Sequence, residues 1–153
     1  MYKRQANDAY ARVFQYKILN NILYLNKKLF LFGLSDTSNC PFCNTENEDT
    51  VHLFHACTQT TALWHALKNA LIDVLPLPDL SAKYSVLGFF DHARENCVLV
   101  NHLLLIYKIF VYRQRSSGFL SFDTLLNKIK DIAILEINVS KFSPQTNDRY
   151  LQK

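Results

Sequence analysis

Three cysteines and two histidines fall within NCPFCNTENEDTVHLFHAC, residues 39–57 of a chain with four cysteines in all. Their spacing constrains the fold more than any other feature. Cys40 and Cys43 form a CxxC, whose tight turn aims two thiols at a single point. His52 follows after eight residues and Cys57 after four more, giving CxxC, x8, H, x4, C. Three thiolates and one imidazole complete a tetrahedron, the closed ligand shell of a structural zinc site. Soft sulfur donors select zinc over magnesium or calcium. His55 is the rival fourth ligand, but one residue separates it from Cys57, which leaves little chain to wrap around an ion. Two metal-free readings stand beside this one: cysteines buried as small hydrophobes, and a redox CxxC near a βαβ pattern. Here the motif follows a Ser/Asp/Thr/Asn loop and precedes an acidic one. A Cys3His shell has no position open for water, so the ion is expected to staple the chain and do no chemistry. Such a site contributes on the order of 10–16 kcal/mol of binding free energy to folding, enough to order residues 46–49, which have no core of their own.

The rest of the chain must supply a core. At 153 residues it is about one domain long. With 49% apolar residues, three glycines and four prolines it is poor in breakers, which favours helices over a turn-dense β sandwich. We expect an all-α fold of about five helices, with the Cys3His loop between the first and second main helices. Over residues 7–25, Phe14, Ile18, Ile22 and Leu25 recur at spacings of four and three behind Asn7 as N-cap. Asn26 is expected to cap a short helix over 27–32, ended by Gly33 in the left-handed region. After Cys57, Leu63, Leu67, Leu71 and Val74 share a helical face that Pro76 and Pro78 stop. A single turn is expected at 84–87. Residues 94–115 are apolar on nearly every side, as in a helix enclosed by neighbours, and Cys97 within them reads as core. Ser121 caps a last helix with Leu125, Ile129, Ile132 or Ala133, and Ile137 as its stripe. The organisation is read as one domain over 1–153: a zinc-binding helical segment at 10–75, C-terminal helices at 80–140 and a polar tail at 141–153.

Lys3-Arg4 runs into polar residues instead of an apolar signal core, so an intracellular protein of the nucleus or cytoplasm is expected. The longest apolar run, residues 97–112, contains Asn101, His102 and Lys108 and is no membrane span. Charge is uneven. Residues 1–39 hold six Lys/Arg against two Asp/Glu, residues 40–100 three against seven, and residues 101–153 eight against four. Basic flanks around an acidic centre suit either phosphate contacts or solvated helix faces. The candidate phosphate contacts are Lys27, Lys28, Arg113 and Arg115, with Arg12 and Lys17 behind them, and Tyr112 is a candidate for stacking on bases.

The string CPFC, an acidic loop, then HLFHAC followed by Trp64 resembles the zinc-binding segment at the C-terminus of reverse transcriptases from non-LTR (LINE-type) retrotransposons. VFQYKILNNILYLNKKLFLFGLSDTSNC is similar to that family's helical lead-in, and NHLLLIYKIFVYRQR to its closing helix. Carried over, the resemblance makes Cys40, Cys43, His52 and Cys57 the zinc ligands, and Leu53, Phe54 and Trp64 packing residues beside the metal. It implies a non-catalytic accessory module that binds RNA or DNA during target-primed reverse transcription, with the reverse transcriptase core as partner. The chain lacks the adjacent aspartates in a strand context that would hold catalytic magnesium. Pro78-Asp79 and Asp91 only partly match the nuclease motif of some relatives. The histidines outside the cluster, His65, His92 and His102, have no carboxylate or nucleophile at triad spacing, so an independent enzyme or small-molecule substrate is not expected. The alternatives are a zinc-stapled helical module that binds protein, and an inactive remnant of such an element.

Overall fold

The computed structural model describes residues 2–89 and 94–141; Asp91, His92 and the tail from residue 142 lie outside them. Six α-helices and one π-helical turn are found among these residues, and no strand. They are α1 (Tyr2–Leu19), α2 (Asn26–Leu31), the π turn (His52–Ala56), α3 (Thr58–Ala70), α4 (Ala82–Leu87), α5 (Arg94–Gln114) and α6 (Phe122–Lys141). The fold is all-α, as the periodicity predicts. Its backbone forms two compact units, Met1–Phe122 and Asp123–Lys153. The described part of the second is essentially α6, which begins directly after Ser121 and runs to Lys141.

Helix ends account for the main differences from expectation. α1 stops at Leu19, short of the expected 25, because Asn21 takes a left-handed conformation with φ 51°. There the amide of Ile22 donates to Lys17 O and that of Asn21 to Ile18 O, the paired bonds of a Schellman ending, in which Asn is an accepted substitute for Gly. Ile22 is consequently left exposed, while Leu23 and Leu25 turn into the core. α2 closes in the same way: Gly33 has φ 70°, its amide donates to Phe30 O, and the amide of Leu34 donates to Leu29 O. Asn26 does not cap α2; its side chain donates to Asn39 O at 2.8 Å, reaching across to the cysteine loop. α3 ends at Ala70, so Val74 leaves the expected stripe and is 85% exposed. α4 extends the expected single turn, with Ser81 Oγ accepting from the amide of Tyr84.

Within the first unit, α5 packs on α1 and on the π turn, α4 packs on the same two, and α3 packs on the π turn. The π turn is thus the hub, and its Leu53 and Phe54 are fully buried. Phe14 of α1 meets Phe54 edge-on at 6.4 Å and Tyr112 of α5 at 5.4 Å. Trp64 of α3 meets Tyr107 of α5 at 5.2 Å, and the Tyr107 hydroxyl donates to Thr60 O at 2.7 Å. Polar residues inside apolar α5 each have a partner: Asn101 accepts from the amide of Phe89 and donates to its carbonyl, both at 2.7 Å. Lys108, 2% exposed, donates to Gln15 Oε1 at 2.8 Å and Ser85 O at 3.1 Å, joining α1, α4 and α5. Cys97 is half-buried, and its thiol donates to Phe89 O. No described helix is long and apolar enough to cross a membrane.

Candidate metal centre

The cysteine loop is a short hairpin hung between α2 and the π turn. Asn39 and Asn47 form an isolated antiparallel bridge, with the amide of Cys40 donating to Glu46 O and that of Glu48 to Ser38 O, both at 2.8 Å. At the tip, the amide of Asn44 donates to Cys40 O, and Asn44 itself is left-handed with φ 56°. This turn folds Cys43 back beside Cys40.

The second ligand pair depends on the π turn. In an α-helix of 3.6 residues per turn, residues five apart lie about 140° apart around the axis, so His52 and Cys57 would point away from each other. Here the amide of Cys57 donates to His52 O at 2.8 Å, an i to i+5 bond that widens the turn and brings both side chains to one side. Asp49 starts the turn, its carboxylate accepting from the amide of His52 at 2.9 Å. Burial pushes the Asp49 carboxyl up, but the His52 amide and the Lys27 ammonium outweigh it and hold the group below its ordinary value.

Cys40, Cys43, His52 and Cys57 thereby offer four ligand atoms, all within 4.8 Å of one another. Cys40 Sγ lies 3.9 Å from Cys57 Sγ, and Cys43 Sγ lies 3.3 Å from His52 Nε2. A tetrahedral zinc with ordinary bond lengths would set sulfurs about 3.8 Å apart and a sulfur and nitrogen about 3.6 Å apart, close to the Cys40–Cys57 and Cys43–His52 separations, so the set suits such an ion. Cys40, His52 and Cys57 are buried and Cys43 is half-buried. Two of the three thiols are held below their ordinary value. Cys57 is lowered to about 5, chiefly by the hydrogen bond from Cys40, against burial and aided by the Thr60 and Gln59 amides at the start of α3. Burial works against Cys43, yet hydrogen bonds from the Thr45 side chain and the Thr45 and Glu46 amides bring it to about 7. Cys40 is raised, first by its bond to Cys57 and then by burial.

Residues 1–64 match the family model described as zinc-binding in reverse transcriptase. The reverse-transcriptase zinc-binding match spans all four ligands and ends at Trp64. No curated protein and no solved structure matches the chain. The family is defined by metal binding, and a full Cys3His shell provides no open coordination position for a substrate or a reactive water.

His55 lies outside the four-ligand group. It is half-buried, lining a pocket of about 270 Å³ with Trp64, His65 and Asp79, while its carbonyl accepts from Thr61 Oγ1. The basic candidates are dispersed. Lys27 pairs with Asp49 at 3.2 Å on the surface, and Arg113 sits 4.9 Å over the Tyr10 ring. Lys28 is half-exposed and makes no ion pair among the described residues. Arg115 turns inward: its Nε and Nη2 bind both carboxylate oxygens of Glu48, which is fully buried, and it also donates to Tyr24 O and Asn26 Oδ1. Tyr112, the candidate stacking residue, is engaged between Phe14 and the Arg115 guanidinium.

Glu48 and Asp49 are the residues that sequence reasoning passes over. Read by composition they belong to a solvated acidic loop, but Glu48 anchors that loop to α2 and α5 and Asp49 caps the ligand-bearing turn. The spacing of Asp49 to His52, three residues before a helical turn, is the one signal of this available in the sequence.

Proposed function

We propose that the chain is a non-catalytic zinc module of a LINE-type reverse transcriptase that binds RNA or DNA beside the polymerase during target-primed reverse transcription. The observation that carries this reading is the closed Cys3His set inside the matched segment: its residues suit a Zn2+ that holds shape, which leaves binding as the module's contribution. Lys27, Lys28 and Arg113 are the cations placed to meet phosphate, and the reverse transcriptase core is the protein partner. The test has two arms. Protein prepared without added metal should contain one equivalent of zinc. Its affinity for a labelled oligonucleotide should fall steeply between about 50 and 200 mM salt, because phosphate neutralisation releases counterions. A zinc-loaded protein with no measurable affinity at low salt would refute the nucleic-acid role. The second reading, a zinc-stapled protein-binding module, is favoured by the apolar side chains exposed on α2, and salt-insensitive binding to the polymerase core would support it.

A further inference from the structure

α2 is unusual for a helix in a folded unit, because none of its residues is buried. It nevertheless consists of NKKLFL followed by Phe32 and Leu34, and it holds a fixed place: the amide of Lys27 donates to Glu48 O, and Asn26 is bound by Glu48 and Arg115. Phe30 is 50% exposed, Phe32 65% and the neighbouring Tyr24 61%. Three aromatic side chains are therefore presented to solvent on a segment anchored by a buried carboxylate. Isolated exposed apolar residues are ordinary, but here Phe30, Leu31 and Phe32 follow one another along α2, all at least half exposed, with Lys27 and Lys28 between the two rings on its outward arc.

The cations say what the surface contacts. On a helix, Lys27 is neighbour to Phe30 and Leu31, and Lys28 to Leu31 and Phe32, through spacings of three and four. Lys28 has no ion pair among the described residues, and Lys27 has only an exposed one with Asp49, of a kind worth little in water and easily exchanged for a phosphate. Lys27, Lys28 and Leu31 also line a groove of about 480 Å³ that runs over Ile18 and Val51. Rings beside ammonium groups on α2 suit unpaired bases, whose faces stack on aromatic side chains while lysines hold the backbone. A duplex buries its base faces and offers nothing to the rings.

We infer that α2 and its flanks, with Tyr24, Phe30 and Phe32 as stacking groups and Lys27 and Lys28 as phosphate contacts, form a platform for single-stranded nucleic acid. This deepens the nucleic-acid reading given above and rests on it. The platform belongs to the zinc-stapled half of the fold, since Asn26 donates to Asn39 O next to the first ligand and Lys27 pairs with Asp49 next to the π turn.

The experiment uses the full chain loaded with zinc and follows fluorescence anisotropy of labelled oligouridylate, oligothymidylate and a duplex. Wild-type protein should prefer the single strands. The pair Phe30→Ser and Phe32→Ser should weaken single-strand binding about ten- to hundredfold and leave duplex binding unchanged. Lys27→Gln with Lys28→Gln should lower the slope of log affinity against log salt by about 0.7 per lysine removed from a phosphate. Val74→Ser, at another exposed apolar position, is the control and should change neither. All five positions are at the surface, and zinc content and circular dichroism verify that the variants fold. If wild type binds but the phenylalanine pair binds equally well, the platform is wrong and the broader role stands. If wild type binds nothing, both fall. Equal affinity for strand and duplex overturns the platform, as does a change in sedimentation of the phenylalanine pair without a change in affinity, which would make α2 a contact between copies.

Discussion

Removing Arg115 should damage this protein more than removing any other surface-reaching cation. Its guanidinium takes both oxygens of Glu48, whose side chain is 0% exposed, while its own side chain is 15% exposed. Taking away one member of a buried pair costs about 3–5 kcal/mol, because the other charge is left without compensation. Against a total stability of roughly 5–15 kcal/mol for a domain, that is a large fraction. The two members are unequal. Arg115→Ala strands a carboxylate that retains the Asn26 amide at 2.6 Å but no cation, and should sit near the upper end of the range. Glu48→Ala leaves an arginine that can reach water, and should sit near the lower end. Replacing both, Glu48→Met with Arg115→Met, removes the desolvation cost together with the attraction, so the double variant should lose several kcal/mol less than the two single losses combined. The assay is guanidinium unfolding at fixed excess zinc, so that the metal contribution is common to all four proteins. Additive losses, or an Arg115→Ala cost under about 1 kcal/mol, would show that the pair does not fasten the cysteine loop to α5.

Three further outcomes follow from the same geometry. Cys43→Ser should abolish stoichiometric zinc and lower the melting temperature to that of chelator-treated wild type; equal metal content in both proteins would remove the four-ligand site. His52→Ala should lose the ion while His55→Ala retains it, and the reverse result would reassign the fourth ligand. Lys108, whose ammonium burial lowers to about 8 from 10.5, is the group to follow with pH. Between those values the unfolded chain holds the proton and the folded chain has released it, so stability rises with pH across that window. The gain approaches about 3 kcal/mol at the ordinary 1.36 kcal/mol per unit. Lys108→Met should lack it, and since tyrosines and cysteines titrate in both proteins, the difference between their pH profiles isolates the lysine. Parallel profiles would refute its burial as a charge.

What could be read without coordinates was what depends on neighbours along the chain. The apolar runs place α3, α5 and α6 because a helical period is local, and Gly33 marks the end of α2 because only a residue without a Cβ takes φ 70° at no cost. Asn21 performs the same service for α1 without a sequence signal, since asparagine visits the left-handed region only as a second choice and the apolar period continues through Ile22 and Leu25. The clustering of Cys40, Cys43, His52 and Cys57 could be read from spacing, but the device that brings them together could not: x4 between His52 and Cys57 is a poor fit to an α-helix, and only the i to i+5 bond turns both side chains to one side.

Charge was the least legible quantity, for a reason that bears on function. Lys27, Lys28, Arg113 and Arg115 look alike in composition, yet the fold uses them differently. Arg115 is bound to a glutamate 67 residues away in sequence, Arg113 covers a tyrosine ring, Lys27 holds an exposed aspartate, and Lys28 has no ion pair among the described residues. A basic flank therefore divides into a fastening that keeps the cysteine loop against α5 and a smaller surface on α2, the one proposed to meet phosphate. The two are linked through Asn26, which receives the Arg115 guanidinium on its side chain and begins the helix that carries both lysines. On the proposed nucleic-acid role, breaking the fastening should thus weaken affinity for the strand although Arg115 is spent on Glu48, and it should do so without changing the salt slope, because no counterion-releasing contact is lost. A slope that drops by a full contact on Arg115→Ala would instead place that arginine on the backbone of the bound strand.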